Sequence, residues 1–327
     1  MEFNKVNAEA AKGVGVIFML LLHLFAAEKI YGVDYSLYSK MKDVGNFCNM
    51  CVPIFVFITG YSYGISNNVK KILKKTVFLY LIALSISLVF VPISIYFANI
   101  EFNLKKFIAT VMCIKGGYNK MYWYISMYPF LLLAASFFNK IKNKYFFHVI
   151  IALIFIFMIS QRFIPQLSFP YMITYYITKY IELLLFLFIG LAFKKNEIYK
   201  NINLTLFIKT ILCILFFIIN CILWTNVTYD TYILYHCIIV PFFVFIITNI
   251  NKKITILLSI IGKYSLYMWL IHGYFFFYFP KLVYWNDSGI IVGLTFILFN
   301  LIIAYIFNFV ITKVKIKDLF QTIANKF

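Results

Sequence analysis

Apolar residues run through this 327-residue chain in long blocks, broken by short connections rich in lysine and asparagine. The blocks exceed the roughly 18 residues that mark a membrane-crossing helix, and they lack the strict alternation over about ten residues of a membrane β-strand. Backbone groups in lipid must be satisfied within their own segment or by a closed barrel, so runs of this kind read as helices. About ten spans are expected, near 12–28, 44–65, 76–98, 121–138, 146–161, 176–193, 204–224, 231–249, 256–279 and 288–312. The predicted fold is all-α, a polytopic transmembrane helix bundle.

The connections alternate in character. NNVKKILKK, NKIKNK, KKNEIYK and NINKK follow the second, fourth, sixth and eighth spans, and KVKIKD follows the tenth. The opposite connections hold Glu28, Asp34, Asp43, Glu101, Asp230 and Asp287. Lysine marks the cytoplasmic side, which places both termini in the cytoplasm. The connection 99–120 is longer than a simple loop and contains FIATVMCI, too short to span and suited to a re-entrant or interfacial segment. No internal repeat, low-complexity tract or flexible linker divides the sequence, so residues 1–327 are read as one integral-membrane domain. The first twelve residues carry two glutamates and no small-residue cleavage site follows the first run, so that span is expected to be retained.

Composition sharpens this picture. The chain is 64% hydrophobic and only 13% charged, with a mean hydropathy of +0.90, which excludes an ordinary soluble domain. The net charge of +19 does not point to nucleic acid, because the lysines sit at the ends of apolar runs, where their partners are anionic lipid headgroups. The six cysteines lie mostly inside apolar runs and act as small hydrophobes. Cys48 and Cys51 form a lone C-x-x-C without further ligands at suitable spacing, so packing is the favoured reading and no metal is expected.

Candidate chemistry begins with KGVGVIFMLLLH, residues 12–23. If Lys12 sits at one face, His23 lies roughly 16 Å further along the helix, near mid-membrane. An ionisable residue there suggests function, while a histidine bonded to a backbone carbonyl near a helix end serves equally well as an explanation. Gly60 and Gly64 form a G-x-x-x-G in the second span that admits a neighbouring helix or an acyl carrier arm, helix packing being the safer reading. Glu182 is the one acid placed inside a span, suited to orienting an imidazole or binding sugar hydroxyls, or simply to neutralisation by Lys179 or Arg162. His236 and His148 suggest no role.

Four stretches, taken together and in order, resemble the acyltransferase family 3 membrane proteins, which move acyl groups from cytoplasmic acyl-CoA to sugars of cell-surface glycans. The family's arginine, ten residues and histidine in the first span are matched by Lys12 to His23, with lysine for arginine. VPIFVFITGYSYG, residues 52–64, is similar to an apolar run ending in Ser-Gly-aromatic, with Thr59, Gly60 and Tyr61 in those places. MYWYISMYPFLLL, residues 121–133, resembles the family's Trp-led entry into a middle span, with Trp123. IIGKYSLYMWLIHGYF, residues 260–275, is similar to a Gly-Lys-x-Ser-Leu pattern ending in histidine, with Trp269 where tyrosine is common and His272 at its end.

The resemblance covers essentially the whole chain and implies an O-acyltransferase of the plasma membrane, moving acetyl or another short acyl group from acetyl-CoA to a polysaccharide hydroxyl. His23 becomes the expected general base and His272 a second functional residue. Lys12 becomes a contact for the donor's phosphates or thioester, although an ordinary lysine snorkelling to the interface explains it too and lacks arginine's bidentate fork. Lys70, Lys71, Lys74 and Lys75 correspond to a basic stretch of the family; on a helix positions 71, 74 and 75 share a face suited to phosphates, and a topology signal explains them equally well. Trp123 and Tyr61 are supporting candidates, the former equally an interfacial aromatic. No esterase-like domain follows in this sequence, so the chain is expected either to acylate its acceptor directly within the bundle or to pass the acyl group to a separate partner, direct transfer to a lipid-linked or exported glycan being favoured. The rival is a transporter or flippase for a lipid-linked sugar, which has no evident need of the Lys12 to His23 spacing or the lysine patch. A polysaccharide polymerase is disfavoured because only 99–120 is a sizeable outward connection.

Overall fold

The computed structural model describes residues 3–26, 36–62, 69–167, 169–202 and 204–313, and, in the C-terminal tail, residues 318, 322 and 323. Glu28, Asp34, Gly64, Asn67 and most of KVKIKD lie outside the described residues. Within the described residues ten stretches are long and apolar enough to cross a membrane, and there is no β-strand. They are built from α1 (Lys5–Phe25), α2 (Lys42–Phe47) continuing through a short turn into α3 (Cys51–Ser62), and α4 (Val69–Phe97). After the short α5 (Leu104–Val111) come α6 (Trp123–Phe138), α7 (Phe146–Phe163), α8 (Tyr171–Lys195) and α9 (Leu206–Asn226). The last three are α10 (Tyr229–Thr248), α11 (Lys252–Tyr278) and α12 (Gly289–Lys313).

Two starts differ from the apolar pattern, for a local reason. α1 begins at Lys5 rather than near residue 12. The Asn4 side chain accepts from Val6 N at 2.8 Å and Asn7 N at 3.1 Å, and Asn7 Oδ1 accepts from Asn4 N at 3.2 Å, a reciprocal cap. The alanine-rich first turns then propagate the helix ahead of the apolar run. Lys12 therefore sits in the third turn, and His23 lies two residues before the end of α1. Likewise α4 starts at Val69, which puts Lys70, Lys71, Lys74 and Lys75 in its first two turns instead of in a preceding loop.

The packing divides the chain into two compact units. Unit one comprises Met1–Gly15, Asn49–Asn67 and Phe130–Lys263. In it α3 crosses α8 closely: a Cβ on Gly60 would lie 2.1 Å from Leu187 O, and one on Gly190 2.2 Å from Phe57 O. Small residues permit this backbone approach. α1 and α11 meet in the same way, Gly262 against Glu9 O and Gly13 against Leu258 O. Asn7 Nδ2 donates to Thr248 O at 2.9 Å. Tyr199 fills a nest of rings from Phe3, Tyr61 and Phe245 and donates to Pro241 O at 2.6 Å.

Unit two comprises Val16–Cys48, Asn68–Pro129 and Tyr264–Phe327. Tyr38 OH donates to Asn286 O at 2.6 Å, joining two connections, and Tyr284 OH donates to Leu24 O at 3.0 Å, fastening the second of them to the end of α1. The connection 99–120 packs against α4. The Asn103 side chain caps α5 by accepting from Lys106 N. Val111 and Met112 line an apolar groove of about 390 Å³ with Thr76, Val77, Tyr80, Leu81 and Leu84. Those residues belong to the first half of the 29-residue α4, so the chain turns back alongside α4 instead of lying over its far end.

A stacked histidine pair as the candidate active site

The turn that opens α6 is seated on the middle of α11. The Asn119 side chain accepts from Met121 N at 3.0 Å, capping the new helix, and its Nδ2 donates to Leu270 O at 2.8 Å. Gly273 makes this possible, since a Cβ there would lie 2.3 Å from Asn119 Oδ1. One turn along, Tyr124 meets Trp269 with ring centroids 5.2 Å apart, and Trp123 lies beside Tyr124. Tyr274 donates to Ser87 Oγ of α4 at 3.1 Å. The α11 segment 269–274 is thus held on two sides, and His272 lies within it.

His272 is fully buried, and its ring stacks on that of His23 of α1, with centroids 5.3 Å apart and planes 22° from parallel. Phe276 closes both rings edge-on at 6.0 and 5.8 Å. His272 Nδ1 lies 2.6 Å from Trp269 O. A carbonyl can only accept, so Nδ1 carries the proton and Nε2 presents its lone pair. Among the described residues that Nε2 has no hydrogen-bond partner, nor has His23 Nδ1. Buried polar atoms are normally satisfied, so two open imidazole nitrogens on facing rings mark a place where something else binds or reacts. His23, unlike His272, keeps partial exposure, which makes it the ring an incoming group can reach.

The remaining expected residues fall elsewhere. Lys12 belongs to unit one, where it pairs with Glu9 on its own helix at 3.1 Å, leaving the lysine side chain 37% exposed. Lys71 and Lys75 are exposed and Lys74 half-buried, and no described salt bridge engages these three. Gly60 is spent on the α3 to α8 crossing. Tyr61 packs in the ring nest with Lys194 Nζ 5.3 Å over its face. Burial, reinforced by Tyr61, holds the Tyr199 hydroxyl well above its ordinary pKa. Glu182 pairs with Lys179 at 2.8 Å, not with the exposed Arg162, and also accepts from Tyr229 OH at 2.7 Å.

Sequence reading alone missed Asn119 and Gly273, although an asparagine at the entry to a span and a glycine next to the candidate histidine were visible signals. It also gave no role to His236, whose Nε2 lies 3.0 Å from Asn220 Nδ2 inside unit one. Among the described residues no group of three or more His, Cys, Asp or Glu is arranged to hold a metal ion.

Comparison with known protein families places the chain. The chain belongs to the acyltransferase 3 family, whose acyltransferase-domain model matches residues 6–312. No curated protein and no solved structure matches it. It is accordingly a multi-pass membrane acyltransferase, and both histidines of the stacked pair lie within the matched region.

Proposed function

We propose that the protein is an O-acyltransferase of the plasma membrane, using acetyl-CoA or another short acyl-CoA from the cytoplasm to acylate a hydroxyl of a cell-surface or exported polysaccharide. The observation that carries this reading is the stacked pair, in which His23 makes no side-chain hydrogen bond among the described residues while His272 has its tautomer fixed by Trp269 O. His23 takes the proton of the acceptor hydroxyl as its oxygen attacks the thioester carbonyl. The new C–O bond forms, the C–S bond breaks, and the proton passes from His23 to the departing CoA sulfur. His272 and Phe276 hold the imidazole from behind and keep water away. The loop charges support cytoplasmic termini, and Lys12, Lys71, Lys74 and Lys75 are the proposed contacts of the donor's phosphates, the last three being free of salt bridges among the described residues. Membrane lipids and the glycan acceptor, lipid-linked or exported, are the proposed partners.

A sugar flippase needs no base with open nitrogens, and membership of an acyltransferase family favours transfer. The test is acyl transfer from radiolabelled acetyl-CoA into the envelope glycan by membranes carrying wild-type protein or His23→Ala. Transfer that disappears in a variant that still inserts and folds supports the reading. Wild-type transfer by His23→Ala overturns the base assignment.

A further inference from the structure

Unit one holds a second buried polar assembly that the chemistry at His23 does not use. Glu182 of α8 is 4% exposed, and both of its bonds, from Lys179 Nζ and Tyr229 OH, fall on Oε2. Oε1 is left to accept from something else. Lys179 also bonds the Tyr229 hydroxyl and lies 5.0 Å over that ring. One turn further along α10, Tyr232 and His236 close on Asn220 of α9, at 3.2 and 3.0 Å from its Nδ2. Asn220 and His236 are fully buried, and His236 Nδ1 has no partner among the described residues. Trp224 packs edge-on against Tyr232 at 5.1 Å. Trp224 and Tyr229 are 38% and 41% exposed, Tyr229 beside the carboxylate that its hydroxyl bonds and Trp224 against Tyr232 one turn along.

Polar groups inside spans are costly and mark pathways or ligand sites. Pure helix-to-helix bonding accounts for Asn220 with Tyr232 and His236, but it leaves the second carboxylate oxygen and the two exposed rings unexplained. A hydroxyl-rich ligand accounts for them. A carboxylate accepts from sugar hydroxyls, a lysine donates to ring or hydroxyl oxygens, and aromatic faces cover the apolar side of a pyranose. The ends of α9 and α10 that carry these groups are extracytoplasmic in the orientation proposed from loop charge. We infer that Glu182, Lys179, Tyr229 and Trp224 form the docking site for a sugar residue of the acceptor glycan, with Asn220 and His236 as positioning residues beneath it. This rests on the acyltransferase reading above.

The test uses the full chain in lipid nanodiscs and, as probe, glycan extracted from the envelope of the producing cells. Retention on the immobilised glycan is measured for wild type, Glu182→Gln, Trp224→Ala and Tyr229→Phe, alongside acetyl-CoA binding and the unfolding midpoint. Glu182→Gln and Trp224→Ala are expected to weaken glycan binding about tenfold, the loss of one charged hydrogen bond or stacking face. Tyr229→Phe, which removes only a hydroxyl and preserves the fold, is expected to weaken it several-fold. Acetyl-CoA binding stays unchanged, and in transfer assays the loss appears in KM for glycan, not in kcat. Unaltered glycan retention by folded variants, a kcat loss at constant KM, or no retention by folded wild type overturns the inference. A wild type that retains glycan through these residues yet transfers no acyl group keeps the docking site and refutes the acyltransferase reading. Transfer with an unchanged glycan KM in every variant does the reverse.

Discussion

The histidine pair of unit two and the carboxylate assembly of unit one are both polar islands inside apolar helices, and they differ in how the protein uses its own hydrogen bonds. In unit one the charges are answered from neighbouring positions: Lys179 and Tyr229 meet Glu182, and Asn220 meets both Tyr232 and His236. In unit two His272 is fixed by the Trp269 carbonyl and His23 is answered by no side-chain hydrogen bond among the described residues. An unmet buried nitrogen costs about 1–3 kcal/mol. Two on facing rings suit a reacting group, whereas a cluster whose charges are paired, with one spare carboxylate oxygen and one open ring nitrogen, suits recognition.

Several substitutions sharpen or break this contrast. The largest effect belongs to His23→Ala, which should lower kcat for acyl transfer by about 10²–10⁴-fold with donor binding retained; radiolabel transfer and calorimetry separate the two. His272→Ala should follow with a smaller kcat loss, because it removes the ring behind the base but leaves the base itself; equal losses in the two variants would make His272 the reacting group. Gly273→Ala drives a methyl into Asn119 Oδ1, so it should destabilise by about 1–3 kcal/mol, read as a lower unfolding midpoint, and reduce transfer by shifting the segment that carries His272. The triple Lys71→Ala, Lys74→Ala, Lys75→Ala variant should raise the acetyl-CoA Kd about tenfold, with a steeper salt dependence in the wild type. Smallest is Lys12: alanine should weaken donor use modestly, because the ammonium is already shared with Glu9, and arginine less still.

Much of the architecture was readable in the chain because lipid imposes one requirement on every span, a long apolar helix. The ten stretches fall where the pattern puts them. Their starts were less legible where a polar cap and alanines extend a helix past its apolar block, as Asn4 and Asn7 do ahead of Lys12. His23 and His272 were legible as separate candidates through their motifs, but not as a stacked pair, because 249 positions separate them and only the packing of α1 on α11 in unit two joins them. Asn119 escaped notice because its importance lies in a bond to Leu270 O that no local pattern encodes. Glu182 was visible as a lone acid in a span, while its partner Tyr229, 47 residues on, became apparent only in three dimensions.

The most direct test of the central claim measures acetyl-CoA binding and acyl transfer side by side, on purified wild type and His23→Ala in nanodiscs. The account predicts that both proteins bind the donor with similar affinity and that only the wild type moves the acyl group to glycan. Transfer by His23→Ala at the wild-type rate, or no donor binding by a folded wild type, contradicts it.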